Sequence, residues 1–219
     1  MLRLLFKKTG KSIWISHLDL MRLFQRAFKR AGLPLTHTQG FNSRPSVSIA
    51  LPLSVGVQSH CELLDFELDG ISASCDEIRD KLNACLVEGV EVVSVYTDGR
   101  KIRDLSLLRC SLVLEYDAGV PDGCVEALDE LFSREALTVP KKTKNGMQDQ
   151  NIIPMIREIS FDRLNDREVE VNCLICCQNP TLNPMQISAA IAMHAPALAP
   201  SFSRFTRLEI YDNNEQIFR

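Results

Sequence analysis

The sequence lacks the features of a membrane or secreted protein. No apolar run approaches the roughly 18 residues that span a bilayer, and the opening residues, MLRLLFKKTGKS, lack the apolar core and cleavage site of a signal peptide. The eight cysteines are therefore expected to be reduced thiols that pack as small hydrophobic side chains. These absences predict a cytoplasmic protein that has no membrane partner.

The cysteines also lack the spacing of a metal or iron–sulfur site. The C-x-x-x-C-x-x-C spacing of radical enzymes does not occur, and Cys173, Cys176 and Cys177 form one C-x-x-C-C with no second pair. They lie in an alternating segment, where residues three apart point to opposite faces of a strand. The pattern therefore predicts structural cysteines, no metal site and no cofactor in this chain.

A complete phosphate-binding Walker loop is absent as well. Gly10-Lys11-Ser12 resembles the end of this loop, but Leu5 stands where the pattern requires a glycine. The next residues, Ile13-Trp14-Ile15, resemble a strand rather than the helix that follows such a loop. The sequence therefore excludes a nucleoside-triphosphate site here.

Negative charge is scarce in residues 1–60, where Asp19 is the only acid against nine lysines and arginines, a formal charge of +8. The remaining residues carry 16 basic and 27 acidic groups, a formal charge of −11. Clustered positive charge attracts phosphates, so RNA or another phosphate-bearing anion is the expected partner. The alternative is that the basic part packs against the acidic part, within the chain or between chains.

The sequence pattern of the first half predicts strands and helices in the order β-α-β-β-α-β. Two S-x-x-acid sequences, Ser16 with Asp19 and Ser74 with Glu77, mark the helix starts, and Gly32 with Pro34 ends the first helix. Apolar or alternating runs predict four strands at Leu2–Phe6, Val47–Leu51, Leu63–Leu68 and Val90–Val95.

The second half has the same predicted order. Its strands are expected at Leu108–Tyr116, near Leu137–Val139, at Val169–Ile175 and at Phe205–Tyr211, with helices through Val125–Phe132 and after Asn183. The sequence therefore predicts an α+β protein of two tandem ferredoxin-like halves, a basic half at residues 1–99 and a second half at residues 105–219.

The candidate anion-binding surface combines the first helix with two loops. Basic residues of this helix recur at i, i+4, i+7 and i+8, which places them in one stripe beside the apolar face. Glycines in the loops let backbone N–H groups approach a phosphate, and an aromatic ring there could stack on a base. The predicted site residues are Lys8, Lys11, His17, Arg22, Arg26, Arg30, Phe41, Asn42 and Arg44, and Lys29 completes the stripe.

His17 lies inside the first predicted capping box. Ser16 and Asp19 are explained as caps of the helix, whereas the imidazole of His17 has no structural role at that position. It could contact a phosphate or act as a general acid or base. No catalytic residue is assigned, and His17 is the candidate if the protein is an enzyme.

Several short motifs resemble one family. They are Phe6-Lys7-Lys8-Thr9-Gly10, Ile15-Ser16-His17-Leu18-Asp19-Leu20-Met21-Arg22, Arg30-Ala31-Gly32-Leu33-Pro34-Leu35, Gly40-Phe41-Asn42-Ser43-Arg44-Pro45 and Leu51-Pro52-Leu53-Ser54-Val55-Gly56-Val57. Their order and spacing over residues 2–68 resemble the radical-SAM-linked family of uncharacterised bacterial domains. In the second half, that family has an Asp-x-Arg-Pro turn, where this chain has Asn151-Ile152-Ile153-Pro154.

The resemblance implies a chain that works beside a radical S-adenosylmethionine enzyme supplied in trans. Together with the charge pattern, it predicts a non-catalytic subunit that binds RNA or presents RNA or a ribosome-associated substrate to that enzyme. One alternative is a metal-independent endoribonuclease with a tandem ferredoxin-like fold. Another is a protein-binding adaptor that docks an acidic partner.

Overall fold

The computed structural model describes residues 1–39, 41–143 and 146–219. The chain divides into two compact units, one of residues 1–102 together with Arg219 and the other of residues 103–218. Each unit combines antiparallel strands with two α-helices, which confirms the predicted α+β class.

The first unit has the predicted order of elements. Its strands and helices are β1 (Leu2–Lys8), α1 (His17–Arg30), β2 (Val47–Ile49), β3 (Gln58–Phe66), α2 (Cys75–Asn83) and β4 (Val90–Tyr96). The strands lie in the spatial order β4-β1-β3-β2, and each neighbouring pair is antiparallel. The central strand β1 is therefore hydrogen-bonded on both sides.

Helix α1 has well-defined ends because its sequence supplies both caps. The Asp19 backbone N–H donates to Ser16 Oγ at 3.2 Å, as the capping pattern predicts. At the other end Gly32 has a φ of +66°, and the Leu33 N–H donates to the Phe28 carbonyl at 2.9 Å. This left-handed turn suits glycine and satisfies a free carbonyl of the last helical turn.

The apolar face of α1 packs on the sheet and fixes the direction of its polar face. Phe24 lies edge-on to Phe6 of β1, with ring centroids 4.8 Å apart, and Phe28 lies against Phe66 of β3 at the same separation. All four rings are buried. With this face held, the basic residues of the helix point to solvent.

The segment after β1 differs from the sequence prediction. Residues Gly10–Trp14 form a 3-10 helix, so the strand expected at Ile13-Trp14-Ile15 is wrong. Gly10 begins this turn with a φ of +57°, and the Ser12 hydroxyl donates to the carbonyls of Thr9 and Gly89 at 2.8 and 2.9 Å. This turn is held by hydrogen bonds of a buried serine. It has no regular apolar–polar pattern, so the sequence alone does not distinguish it from a strand.

The second unit contains six strands and two helices within the described residues. They are β5 (Leu105–Glu115), α3 (Cys124–Phe132), β6 (Thr138–Thr143), β7 (Gly146–Asn151), β8 (Ile156–Arg163), β9 (Glu168–Cys176), α4 (Met185–His194) and β10 (Phe202–Asp212). Four strands form an antiparallel sheet in the order β10-β5-β9-β8, whereas β6 and β7 form a separate hairpin.

The strand predicted near Leu137–Val139 was expected to belong to the four-stranded sheet, and this prediction is wrong. That segment belongs to the hairpin, and the missing sheet strand is β8. Seven of its eight residues are exposed or half-buried and four are charged, so its sequence has little apolar alternation. Lys144 and Asn145 lie outside the described residues.

The eight cysteines are free, six of them buried and two half-buried. Cys173 of β9 faces Cys110 of β5 across the strand pair, with the two sulfur atoms 3.3 Å apart. Within the parts of the chain that are described, no helix is long and apolar enough to cross a membrane, and no group of three or more His, Cys, Asp or Glu side chains could hold a metal ion.

Candidate nucleic-acid interface

Three arginines of α1 line one open groove on the first unit. Arg22, Arg26 and Arg30 are spaced four residues apart, so their side chains follow one another along the helix surface. The groove has a volume of about 480 Å3, and its other lining residues are Ile15, Asp19, Leu23, Cys85 and Val87. The structure thus brings together three of the predicted site residues.

Asp19 is the single carboxylate among these lining residues. Its Oδ1 lies 2.9 Å from Arg22 Nη1, and its Oδ2 accepts a hydrogen bond from the Ser16 hydroxyl at 2.7 Å. These contacts, first Ser16 and then Arg22, hold the pKa of Asp19 below its usual value. Asp19 therefore stays ionised near neutral pH and partly compensates Arg22.

Arg26 and Arg30 differ from Arg22 in having no ion-pair partner within the described residues. Both side chains are exposed. A guanidinium without an ion-pair partner offers several N–H donors in a planar fork, which matches the oxygens of a phosphate. The arginines without an ion-pair partner are therefore the two nearer the C-terminus of the helix.

Lys8 does not lie on this surface. Its side chain is 1% exposed, and Nζ donates to the Ile13 carbonyl at 3.0 Å. Burial lowers the pKa of the ammonium group, and the nearby Glu62 carboxylate partly offsets this effect. Lys8 thus stabilises the turn after β1, and its ammonium is not presented to solvent.

The turn after β1 presents a different cation and an aromatic ring. Lys11 is exposed, as the site prediction requires, and Trp14 is 68% exposed although it is the only tryptophan in the chain. The Trp14 ring lies over Gly56. Trp14 is not among the residues predicted from the sequence as candidates for base stacking. Its position three residues after Lys11, in the basic part of the chain, was a signal that could have identified it.

The loop after α1 carries the remaining predicted residues. Thr38 N–H donates to the Arg44 carbonyl at 2.8 Å, so the chain doubles back and places Phe41 and Asn42 near its tip. The side chains of Phe41, Asn42 and Arg44 are exposed. Gly40, expected to let the backbone approach a phosphate, lies outside the described residues.

His17 occupies the first position of α1. Its side chain is half-buried and makes no hydrogen bond within the described part of the chain. The neighbouring Ser16 and Asp19 are engaged with each other and with Arg22, so neither carboxylate nor hydroxyl orients the imidazole. Unlike Asp19, His17 is not among the residues that line the arginine groove.

Comparison with protein families gives one match. Residues 1–184 match the family described as uncharacterized protein conserved in bacteria, DUF2344. The chain belongs to this family. The match covers residues 1–102 of the first unit, including the arginine groove, and most of the second unit. No curated protein matches the sequence.

Comparison with solved structures finds chains of multi-component complexes. A chain in the crystal structure of a Cbf5-Nop10-Gar1 complex is 7% identical with a TM-score of 0.55, covering 95% of this chain and 48% of that chain. A chain in the structure of an H/ACA RNP bound to a substrate RNA containing 2'-deoxyuridine is 9% identical with a TM-score of 0.49, covering 94% and 46%. The protein therefore spans less than half the length of these chains, and the likeness at this identity shows the fold alone.

Proposed function

We propose that this protein binds RNA as a non-catalytic subunit and that the groove along α1 contacts the phosphate backbone. The observation that carries the proposal is a pair of arginines, Arg26 and Arg30, that have no ion-pair partner among the described residues and lie in a groove lined by one carboxylate. Polyanions release counterions when arginines neutralise their phosphates, which gives sequence-independent affinity.

The spacing of the arginines suits a polymer better than a single small anion. Side chains four residues apart on a helix are about 6 Å apart along its axis. Arg22, Arg26 and Arg30 therefore extend over roughly 12 Å, which exceeds the size of one phosphate group. A row of this length favours several phosphates on one strand.

The topology supports a ferredoxin-like assignment for each unit. The order β4-β1-β3-β2 in the first unit has its counterpart in β10-β5-β9-β8 of the second, once the β6–β7 hairpin is treated as an insertion. The likeness to a chain of the Cbf5-Nop10-Gar1 complex concerns the fold. The argument for an RNA-associated role is the charge of the groove.

The expected enzyme partner comes from the motif resemblance described above. A radical S-adenosylmethionine enzyme in trans would supply the cluster and the chemistry, and this chain would supply the RNA-binding surface. Co-purification from cells that express both chains tests this part of the proposal. Recovery of RNA without such an enzyme would leave RNA binding in place and remove the proposed partner.

The decisive experiment measures RNA affinity against salt concentration for the double variant Arg26→Ala, Arg30→Ala. The plot of log K against log salt should become shallower by about two units, because two phosphate contacts are lost. The matched control is Arg79→Ala, Lys81→Ala on α2, which removes the same charge from residues already paired with Asp76, Asp80 and Glu77. An equal loss in both double variants, or a parent that does not bind RNA, would contradict the proposal.

The same incubations test whether the subunit is catalytic. RNA held with the protein in EDTA should remain intact in the parent and in His17→Gln. Cleavage by the parent that His17→Gln abolishes would instead identify a metal-independent endoribonuclease.

A further inference from the structure

A second cavity lies on the other flank of α1, and none of the three groove arginines lines it. Its volume is about 420 Å3. Helix α1 contributes Gln25, Phe28 and Lys29, and the chain after the helix contributes Pro34, His37 and Pro45. All of these residues belong to the first unit.

The walls of this cavity are fixed by backbone hydrogen bonds. The turn at Gly32 reverses the chain at the end of α1, and the Thr36 N–H then donates to the Glu67 carbonyl at 2.9 Å. His37 pairs with Pro45 as an isolated antiparallel bridge, next to the bond between Ser46 N–H and the Thr36 carbonyl at 2.7 Å. The cavity is thus built into the fold and needs no ligand to hold its shape.

The chemistry of the lining selects a class of ligand. Phe28, Pro34 and Pro45 provide an apolar surface, and Gln25 provides an amide that both donates and accepts hydrogen bonds. His37 adds a ring that can stack on a planar group, and Lys29 adds a positive charge. No carboxylate lines the cavity, so a cationic ligand has no counter-charge there. A nucleobase attached to a phosphate meets each of these conditions.

The cavity and the arginine groove are neighbours on one helix. Successive residues of an α-helix are about 100° apart around its axis. Viewed along α1, Lys29 therefore falls between Gln25 of the cavity and Arg22 of the groove. A strand whose phosphates lie on the arginines can pass Lys29 and turn one base into the cavity.

We propose that this cavity binds an unstacked base of single-stranded RNA whose backbone follows the arginine groove. The inference rests on the proposed function and adds the form of its substrate. A base inside a duplex is stacked and paired, so it cannot enter the cavity without the cost of opening the helix. The protein should therefore prefer single strands.

The first test compares a 12-nucleotide single-stranded RNA with its blunt duplex at one salt concentration. The parent should bind the single strand about tenfold more tightly, and His37→Ala should lose about that factor, as expected for one stacked base. His194→Ala, which removes an exposed histidine from the second unit, is the matched control and should bind like the parent. Equal affinity for both RNAs, with no effect of His37→Ala, would overturn the base-binding site.

The second test locates the base directly. Single-stranded RNA containing 4-thiouridine is cross-linked to the parent by light, and the modified peptides are identified by mass spectrometry. Cross-links within residues 25–45 are expected, and cross-links confined to other segments would overturn the inference. Cross-linking by 4-thiouridine monophosphate as strong as that by the RNA would assign the cavity to a free nucleotide instead.

The outcomes separate this inference from the proposed function. A parent that binds neither RNA contradicts both. A different outcome is a parent that binds RNA with the expected salt dependence but shows neither single-strand preference nor cross-links at the cavity. That result would support the arginine groove as the RNA-binding surface and contradict the base-binding cavity.

Discussion

Two cations of β1 and two of α1 carry the same formal charge in opposite environments. Arg3 and Lys8 of β1 are buried and hydrogen-bonded inside the first unit, whereas Arg26 and Arg30 of α1 are exposed and have no ion-pair partner among the described residues. Strand β1 is covered by β3 and β4 on its two edges, and α1 presents one whole face to solvent. The positive charge of a segment therefore does not by itself identify a binding surface, because packing decides which of its cations reach solvent.

The buried cations are held by specific partners. Arg3 Nε and Nη2 donate to the two oxygens of Asp65 at 2.6 and 3.0 Å, and Nη1 donates to the Arg100 carbonyl at 2.7 Å. Such a bidentate pair positions strands, and the buried guanidinium is not accessible to an external phosphate. The effects of substitutions should therefore differ between the two regions: loss of stability in β1, and loss of RNA affinity in α1.

The largest expected effect is that of Arg3→Ala. Removing the guanidinium leaves the Asp65 carboxylate partly buried without its partner, which costs about 3–5 kcal/mol of unfolding free energy. Denaturant titration followed by circular dichroism measures this loss. Arg22→Ala, which breaks the exposed pair with Asp19, is the control and should leave the transition midpoint nearly unchanged. Equal midpoints for both variants would remove the distinction between the regions.

Lys8→Met should have the next largest effect. The substitution keeps the volume of the side chain but leaves the Ile13 carbonyl without its donor, at a cost of about 1–3 kcal/mol at neutral pH. RNA affinity of the folded protein should not change. A variant that loses affinity while its stability is unchanged would place Lys8 in the interface after all.

Burial of Lys8 should also make the free energy of unfolding depend on pH. Because its pKa in the folded state is below its ordinary value of 10.5, the unfolded chain binds more protons between those two values. The stability of the parent relative to Lys8→Met should therefore rise as the pH increases through the lowered pKa toward 10.5. A stability difference that does not change with alkaline pH would contradict burial of this charge.

The smallest effect distinguishes residues within α1. Arg26→Ala should reduce the slope of log K against log salt by about one unit, because Arg26 forms no ion pair within the described residues. Arg22→Ala should reduce the slope by less, because Asp19 already neutralises part of its charge. Both variants should unfold like the parent. A larger effect for Arg22→Ala would mean that RNA displaces the Asp19 carboxylate.

The two units also differ in how well local sequence predicts them. In the first unit, paired caps such as Ser16 with Asp19 and strong apolar alternation predicted every helix and strand of the main sheet. In the second, β8 was missed because its charged residues hide the alternation, and the strand expected near Leu137–Val139 belongs to the hairpin. Whether such an edge segment forms a strand depends on its pairing with another strand. A short stretch of sequence does not contain that information.

The sequence by itself determined the α+β class, the ends of α1 and the spacing of its arginines, because caps and helical periodicity depend on residues close together in the chain. Only the tertiary structure decided which cations are available. It buried Lys8, exposed Trp14, and set His37 and Pro45 beside Gln25 to form a cavity. These outcomes depend on contacts between segments far apart in sequence, where burial and charge compensation are settled by packing.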